Sequence, residues 1–189
     1  MNTILGWLSG GNLRSDGAAD QAVEAVLQHP APFSDLMAGL DSQDAVIRGR
    51  TADALEKIAR SRPDLTIGYL PTLLSQLKKD AVPMVRMHLA MMLGHFVEYS
   101  EYANIIIPAL LQALDETSVF TKSWAIVSLC IYARKYPHYR GEIVEKITEL
   151  STDPSKAIQT KVRYAMEILS ANERLFPKGW VKSERGFLD

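Results

Sequence analysis

Hydrophobic positions recur along this chain at helical spacing, and one layout returns four times. Each copy has a short apolar helix, a polar turn that contains Asp, and a longer amphipathic helix. The copies are PFSDLMAGLDSQDAVIRGRTADALEKIA, YLPTLLSQLKKDAVPMVRMHLAMMLGHF, IIPALLQALDETSVFTKSWAIVSLCIYA and GEIVEKITELSTDPSKAIQTKVRYAMEILS. No stretch alternates apolar and polar residues over strand length without also fitting the helical period. The pattern predicts an all-α protein made of helical hairpins.

Apolar landmarks define the period of these hairpins. The first helix of each unit closes on Leu40, Leu77, Leu114 and Leu150, at separations of 37, 37 and 36 residues. The second helices carry Leu55, Leu93, Leu129 and Ile168, at separations of 38, 36 and 39. Seven residues before each of these stands a cation: Arg48, Arg86, Lys122 and Lys161. Such a period is typical of stacked repeats, which bury one continuous core between neighbours.

Proline placement supports this division. Proline is tolerated in the first turn of a helix or beyond its end, and it disrupts the interior. Asp153 and Pro154 have the pattern of an N-cap followed by the first helical residue. Five prolines are predicted at or near helix starts: Pro32, Pro71, Pro83, Pro108 and Pro154. The other four are predicted at the limits of the units: Pro63 and Pro137 after second helices, Pro30 before the first unit, and Pro177 after the last helix.

A helical hairpin repeated every 36 to 39 residues, with Asp in the turn and a basic residue early in the second helix, resembles the HEAT-repeat family of armadillo-like helical proteins. The resemblance covers about residues 32–174. It implies a right-handed α-α superhelix of about four units, with first helices on the convex side and second helices on the concave side. It also implies that each basic residue pairs with a turn aspartate of its own or the next unit, from the set Asp44, Asp80, Asp115 and Asp153.

The whole chain, residues 1–189, is predicted to form a single domain. The residues outside the four repeats lie at the two ends of the stack. Residues 1–31 supply an apolar segment and a capping helix, and residues 175–189 form a C-terminal tail. Terminal repeats of such stacks are usually atypical, since their outer face has no neighbour. Two apolar groups in these ends lack an evident place: Ile4, Leu5, Trp7 and Leu8 before the first unit, and Trp180, Val181, Phe187 and Leu188 after the last.

Composition narrows the function classes. The 21 Lys+Arg and 22 Asp+Glu give a net charge of −1, which lacks the global electrostatic footprint of a dedicated nucleic-acid binder. One cysteine cannot form an internal disulfide, and no run of 18 apolar residues is present. The opening MNTILGWLSGG has no basic region of the kind that secretory signals carry. We expect a soluble cytoplasmic protein.

The exposed face of the second helices is the informative surface. Unit one is charged there, as a solvated face should be, whereas units two to four are apolar at the centre. The helix SVFTKSWAIVSLCIYARKY is apolar nearly all round, and such a helix is normally covered on every side. The cover is predicted to be the chain's own tail, a partner peptide or helix, or a second copy. The predicted partner-binding residues are His88, Met91, His95, Trp124, Val127, Ile131 and Met166, with Arg50 and Arg163 at the ends.

These features favour a non-catalytic scaffold that binds a partner peptide, a helix or a second copy, as in a homodimer, on its concave surface. The alternative is a nucleic-acid-binding helical-repeat module that uses the cations on the turns together with Arg50, Lys57, Arg60, Arg134 and Arg163. No catalytic residue, cofactor, metal site, small-molecule substrate or membrane contact is predicted. His88 and His95 with Glu98 offer too few converging ligands for a metal, and no phosphate loop or nucleophile motif occurs.

Overall fold

The computed structural model describes residues 3–183, and these residues form an all-helical protein without a strand. The predicted all-α class is therefore confirmed. None of the described helices is long and apolar enough to cross a membrane. The helices are α1 (Thr3–Leu8), α2 (Ala19–Gln28), α3 (Phe33–Ala38), α4 (Ala45–Ser61), α5 (Pro63–Ile67), α6 (Leu70–Lys79), α7 (Pro83–Leu93), α8 (Ala103–Gln112), α9 (Val119–Lys135), α10 (Arg140–Glu149) and α11 (Lys156–Ser170).

Four helical hairpins follow one another along the chain. The second helices α4, α7, α9 and α11 pack side by side in chain order. The first helices α3, α6, α8 and α10 each pack on the second helix of their own unit. The helix α1 contacts α2, α3 and α4, and α2 lies on α4, so the two together cover the outer side of unit one.

Short polar side chains cap two of the second helices, α4 and α9. The Asp44 carboxylate accepts a hydrogen bond from the Val46 amide at 2.8 Å, and the Ser118 hydroxyl accepts one from the Thr121 amide at 3.2 Å. Each satisfies a backbone donor that the first helical turn leaves free. Pro83 is the first residue of α7. Proline suits that position because its missing N–H would have no partner there.

Two predicted proline positions are wrong. Helix α11 begins at Lys156 with Ser155 as its N-cap, and Asp153 instead accepts a hydrogen bond from the Ser155 amide at 2.8 Å. Pro108 lies inside α8, which begins earlier than predicted, at Ala103. The extra turn buries the side chains of residues 106 and 107 almost completely. We attribute the tolerance of an interior proline to that packing, which offsets the lost backbone hydrogen bond.

The late start of α11 corrects the alignment of unit four. The landmark leucines stand eleven residues after the N-cap in units one to three, and Met166 holds that position in unit four. The predicted landmark, Ile168, is also buried, which explains why the apolar pattern favoured it over Met166. The corrected alignment pairs Lys161 with Trp124 rather than with Lys122.

Ion pairs join consecutive units on the turn side. Arg48 Nε lies 2.9 Å from Asp80 Oδ2, Arg86 Nη2 lies 3.2 Å from Glu116 Oε2, and Lys122 pairs with Asp153. Each cation stands four residues after its N-cap, and each acid two residues before the next N-cap. The expected pairing with a turn aspartate is thus observed for Arg48 and Lys122, in each case with the next unit. For Arg86 the partner is Glu116 and not Asp115. Lys161 takes no part in this ladder.

Candidate functional site

One side of the second helices forms a continuous surface that we call the second-helix face. It consists of the residues six, nine and thirteen positions after each N-cap: Arg50, Asp53, Lys57, His88, Met91, His95, Trp124, Val127, Ile131, Lys161, Tyr164 and Ile168. The part on α4 is charged, the part on α9 is aromatic and aliphatic, and α7 carries both kinds. The surface therefore changes from polar to apolar from unit one to unit three, and α11 adds Lys161 beside the apolar part.

The C-terminal residues 177–183, here called the tail segment, lie over this face. Trp180 is 7% exposed and belongs to the same hydrophobic core as the repeats. At the far end, the Ser183 hydroxyl donates a hydrogen bond to the Arg60 carbonyl at 3.3 Å. The tail segment thus runs from unit four to unit one. Of the predicted covers, the chain's own tail is observed. Phe187 and Leu188 lie outside the described residues.

Lysines and tryptophans alternate where the tail segment meets the face. Lys182 Nζ lies 4.8 Å from the centre of the Trp124 ring. Lys161 Nζ lies 4.4 Å from the centre of the Trp180 ring and 6.0 Å from that of Trp124. Burial lowers the pKa of both lysines. A cation over an aromatic ring gains more as it loses water, up to about 2 kcal/mol, so these contacts are a principal attachment of the tail segment.

Arg134 directs the chain from α11 into the tail. Its Nη2 donates hydrogen bonds to the carbonyls of Ile168 at 3.1 Å and Arg174 at 2.7 Å. The guanidinium carbon also lies 4.8 Å from the centre of the Phe176 ring. The chain then turns at Gly179, whose φ of +83° favours glycine, and the Trp180 amide donates to the Pro177 carbonyl at 3.0 Å. This turn delivers Trp180 to the face.

A buried ionic cluster lies at the polar end. The Glu56 side chain has no exposed surface, its Oε1 lies 2.9 Å from His95 Nε2, and Arg60 Nη2 lies 2.5 Å from its Oε2. Burial alone raises the pKa of a carboxyl, but the hydrogen bonds from His95 and Arg60 lower the pKa of Glu56 to about 2. Glu56 is thus held as a carboxylate and joins α4 to the end of α7.

Asp53 stands beside this cluster. Its Oδ2 lies 2.9 Å from Lys57 Nζ, and its Oδ1 lies 3.7 Å from His88 Nδ1. Lys57 also meets Asp20 of α2 at 2.5 Å. Burial lowers the pKa of His88, although Asp53 and Glu56 oppose the shift. One ligand atom from each of Asp53, Glu56 and His88 lies within 4.8 Å of the others. Both carboxylates already have a cationic side chain as partner, so we assign the group to structural pairing.

Arg50 has a role that the sequence did not indicate. Its guanidinium donates hydrogen bonds at 3.0 to 3.2 Å to four backbone carbonyls, those of Leu8, Ser9, Asn12 and Ser15. The side chain is buried and holds the loop between α1 and α2 against α4. Beside it is a cavity of about 310 Å³ whose wall includes Leu13, Asp53, Met84 and His88.

The predicted site residues have three different environments. On the second-helix face, Met91, His95, Val127 and Ile131 are buried, while His88 and Trp124 are half-buried. Met166 lies off the face, where the Thr148 hydroxyl contacts its sulfur at 3.4 Å. Arg163 is exposed beside Tyr164, and Arg50 is buried by the loop. The placement of Met166 and Arg163 on the face was wrong because unit four was misaligned. In unit four, the face residues that the predicted set lacks are Lys161, Tyr164 and Ile168.

Most of the individually predicted nucleic-acid-binding cations already have partners within the protein. Arg50 and Arg134 donate to backbone carbonyls, and Lys57 and Arg60 pair with carboxylates. Arg163 is the exposed member of that set. A phosphate backbone is held by cations that exchange their counterions for phosphates. The internal partners therefore leave little of this set for such contacts.

No family model matches the chain, and no curated protein is significantly similar to it. Assignment of a function consequently depends on the geometry of the second-helix face and its cover.

Proposed function

We propose that this protein is a non-catalytic, cytoplasmic HEAT-repeat scaffold. In this proposal the four hairpins stack as a right-handed superhelix, and the second-helix face is the concave surface that binds a segment of another protein. The observation that carries the proposal is the tail segment itself, because this face accommodates a non-helical stretch of polypeptide through an aromatic and a basic side chain. A partner segment would occupy the same place.

The way the tail segment is held supports a peptide-binding role. Within the described part of the chain, residues 178–182 make no backbone hydrogen bond to the repeats. Their attachment depends on side chains, chiefly Trp180 and Lys182. Aromatic and basic anchors in a desolvated groove commonly supply most of the binding energy of a peptide or protein interface. Nucleic-acid binding is the less favoured function, since the cations that it requires have internal partners.

Selection from a displayed library of random peptides would test the proposal. We expect the full-length protein to enrich peptides that bind at the second-helix face. Trp124→Ala should weaken such binding at least ~10-fold, because aromatic anchors contribute about 2 kcal/mol or more at interfaces. Phe120→Ala is the matched control, since Phe120 precedes Trp124 by one helical turn on α9 and is 69% exposed.

Circular dichroism would establish that both variants remain helical. Failure to enrich any peptide, or binding that is indifferent to Trp124→Ala in a folded protein, would contradict the proposed function.

A further inference from the structure

The tail segment shows which side chains the second-helix face can hold. Trp180 and Lys182 both contact it, with Val181 between them. From this geometry we infer that the partner is a peptide segment with an aromatic residue followed two positions later by lysine or arginine, and that the chain's own tail competes with it. This inference rests on the proposed function and adds the chemistry of the partner.

The aromatic position is defined by Lys161 and the apolar end of the face. The Trp180 ring lies under Lys161 Nζ, and its centre is 6.5 Å from that of the Phe176 ring. Trp180 is almost fully buried as a result. An aliphatic residue could bury area here, but only an aromatic ring offers a π face to the partly desolvated ammonium group. The site therefore selects an aromatic side chain.

The basic position is defined by Trp124 and by the acidic residues of α4. The Lys182 ammonium group lies over the Trp124 ring, and the carboxylates of Glu56 and Asp53 act on it electrostatically. Lys57 and Arg60 oppose this attraction in part. An acidic side chain would lose the ring contact and face two carboxylates. Arginine would keep both interactions, since guanidinium groups also stack on aromatic rings.

The tail must be displaced before another segment can bind. Because the tail is connected to α11 by a short stretch of chain, its effective concentration at the face is on the order of millimolar. A free peptide with the same side chains would therefore bind more weakly to the wild type than to a protein whose tail is weakened. Weakening the tail should raise the apparent affinity of the peptide, with no new contact.

A labelled synthetic peptide, FPKGWVKS, which copies residues 176–183, provides the probe. Fluorescence anisotropy would measure its binding to full-length wild type, Trp180→Ala and Lys182→Glu proteins. Lys182→Glu retains the buried ring and places a carboxylate near Asp53 and Glu56, so it weakens the tail without opening a cavity. We expect both variants to bind the peptide at least ~10-fold more tightly than the wild type.

Variant peptides test the inferred pair of side chains. Replacement of the tryptophan or of the second lysine by alanine should reduce binding at least ~10-fold, whereas replacement of the first lysine, which copies Lys178, should change it little. Adding Trp124→Ala to Lys182→Glu should abolish the gained binding.

The inference is wrong if folded Trp180→Ala and Lys182→Glu proteins bind the peptide no better than the wild type, or if the alanine peptides bind equally well. Library peptides that bind at Trp124 without an aromatic-x-basic pair would refute the inference and leave the proposed function intact. If library peptides also fail to bind, both are wrong.

Discussion

The ammonium nitrogen of Lys161 lies 4.4 Å from the centre of the Trp180 ring, so a residue of the last repeat holds a residue of the tail. Its equivalents in the earlier units are Arg50, His88 and Trp124, and Trp124 makes the reciprocal contact with Lys182. This one column of the second helices thus anchors the loop before unit one at one end and the tail at the other.

The contact between Lys161 and Trp180 should contribute measurably to the free energy of unfolding. Lys161→Gln removes the charge over the ring and should lower the free energy of unfolding by about 1 kcal/mol. Trp180 should also become more accessible to collisional quenchers of fluorescence. Lys156→Gln, on an exposed position of the same helix, should change stability by less than about 0.5 kcal/mol. Equal effects of the two substitutions in urea denaturation would argue against the contact.

Substitutions of Arg50 and Arg163 should have very different effects on stability, although the sequence predicted both residues at the ends of one partner-binding surface. Arg50→Ala removes the donor of the buried Leu8 carbonyl and of the partly buried carbonyls of Ser9, Asn12 and Ser15, and we expect the free energy of unfolding to fall by about 3 kcal/mol. Amide hydrogen exchange in residues 8–17 should be faster in the Arg50→Ala protein than in the wild type. Arg163→Ala should change stability by about 0.5 kcal/mol or less, because Arg163 is exposed. Unaltered exchange in the loop of a folded Arg50→Ala protein would refute this role.

A side chain at Gly17 should destabilise the protein. Its φ is +59°, and a Cβ there would lie 2.6 Å from the Arg50 guanidinium. Gly17→Ala should therefore cost about 2 kcal/mol or more, from backbone strain and displacement of Arg50. Gly68→Ala is the matched control, because Gly68 has φ of −61° and open space around it. We expect that change to be neutral or to stabilise by up to about 1 kcal/mol in thermal unfolding.

Glu56 should make the protein acid-sensitive. Its pKa is lowered from 4.5 to about 2 in the folded protein. Its stabilising contribution is therefore complete above pH 4.5 and is lost as the pH falls from 4.5 through about 2. The full contribution is about 3 kcal/mol, at 1.36 kcal/mol for each pKa unit.

Urea denaturation at several pH values would measure this contribution. Glu56→Gln should remove that part of the acid dependence, and Glu167→Gln, an exposed change on α11, should leave it unchanged. A variant at Glu56 that retains the wild-type slope between pH 4.5 and 2 would contradict the assignment.

Local patterns were sufficient for much of the fold. The helical period of the apolar residues predicted four hairpins. The family resemblance of the repeated layout implied ion pairs between basic residues and turn aspartates, and Arg48 with Asp80 and Lys122 with Asp153 are such pairs. These features succeed because helix periodicity and polar turns depend on residues close in the chain. The alignment of unit four failed because both Met166 and Ile168 are apolar, and only the observed N-cap distinguishes them.

The sequence by itself determined an all-helical chain of four repeated hairpins and an apolar second helix in unit three that required a cover. Only the tertiary structure decided what covers it and which cations remain available. Arg50 binds backbone carbonyls, which any sequence possesses, so no residue pattern identifies its partners. Likewise, the turn at Gly179 brings Trp180 to Lys161 on α11 and Lys182 to Trp124 on α9. Contacts between segments this distant in the chain follow from three-dimensional packing and not from periodicity.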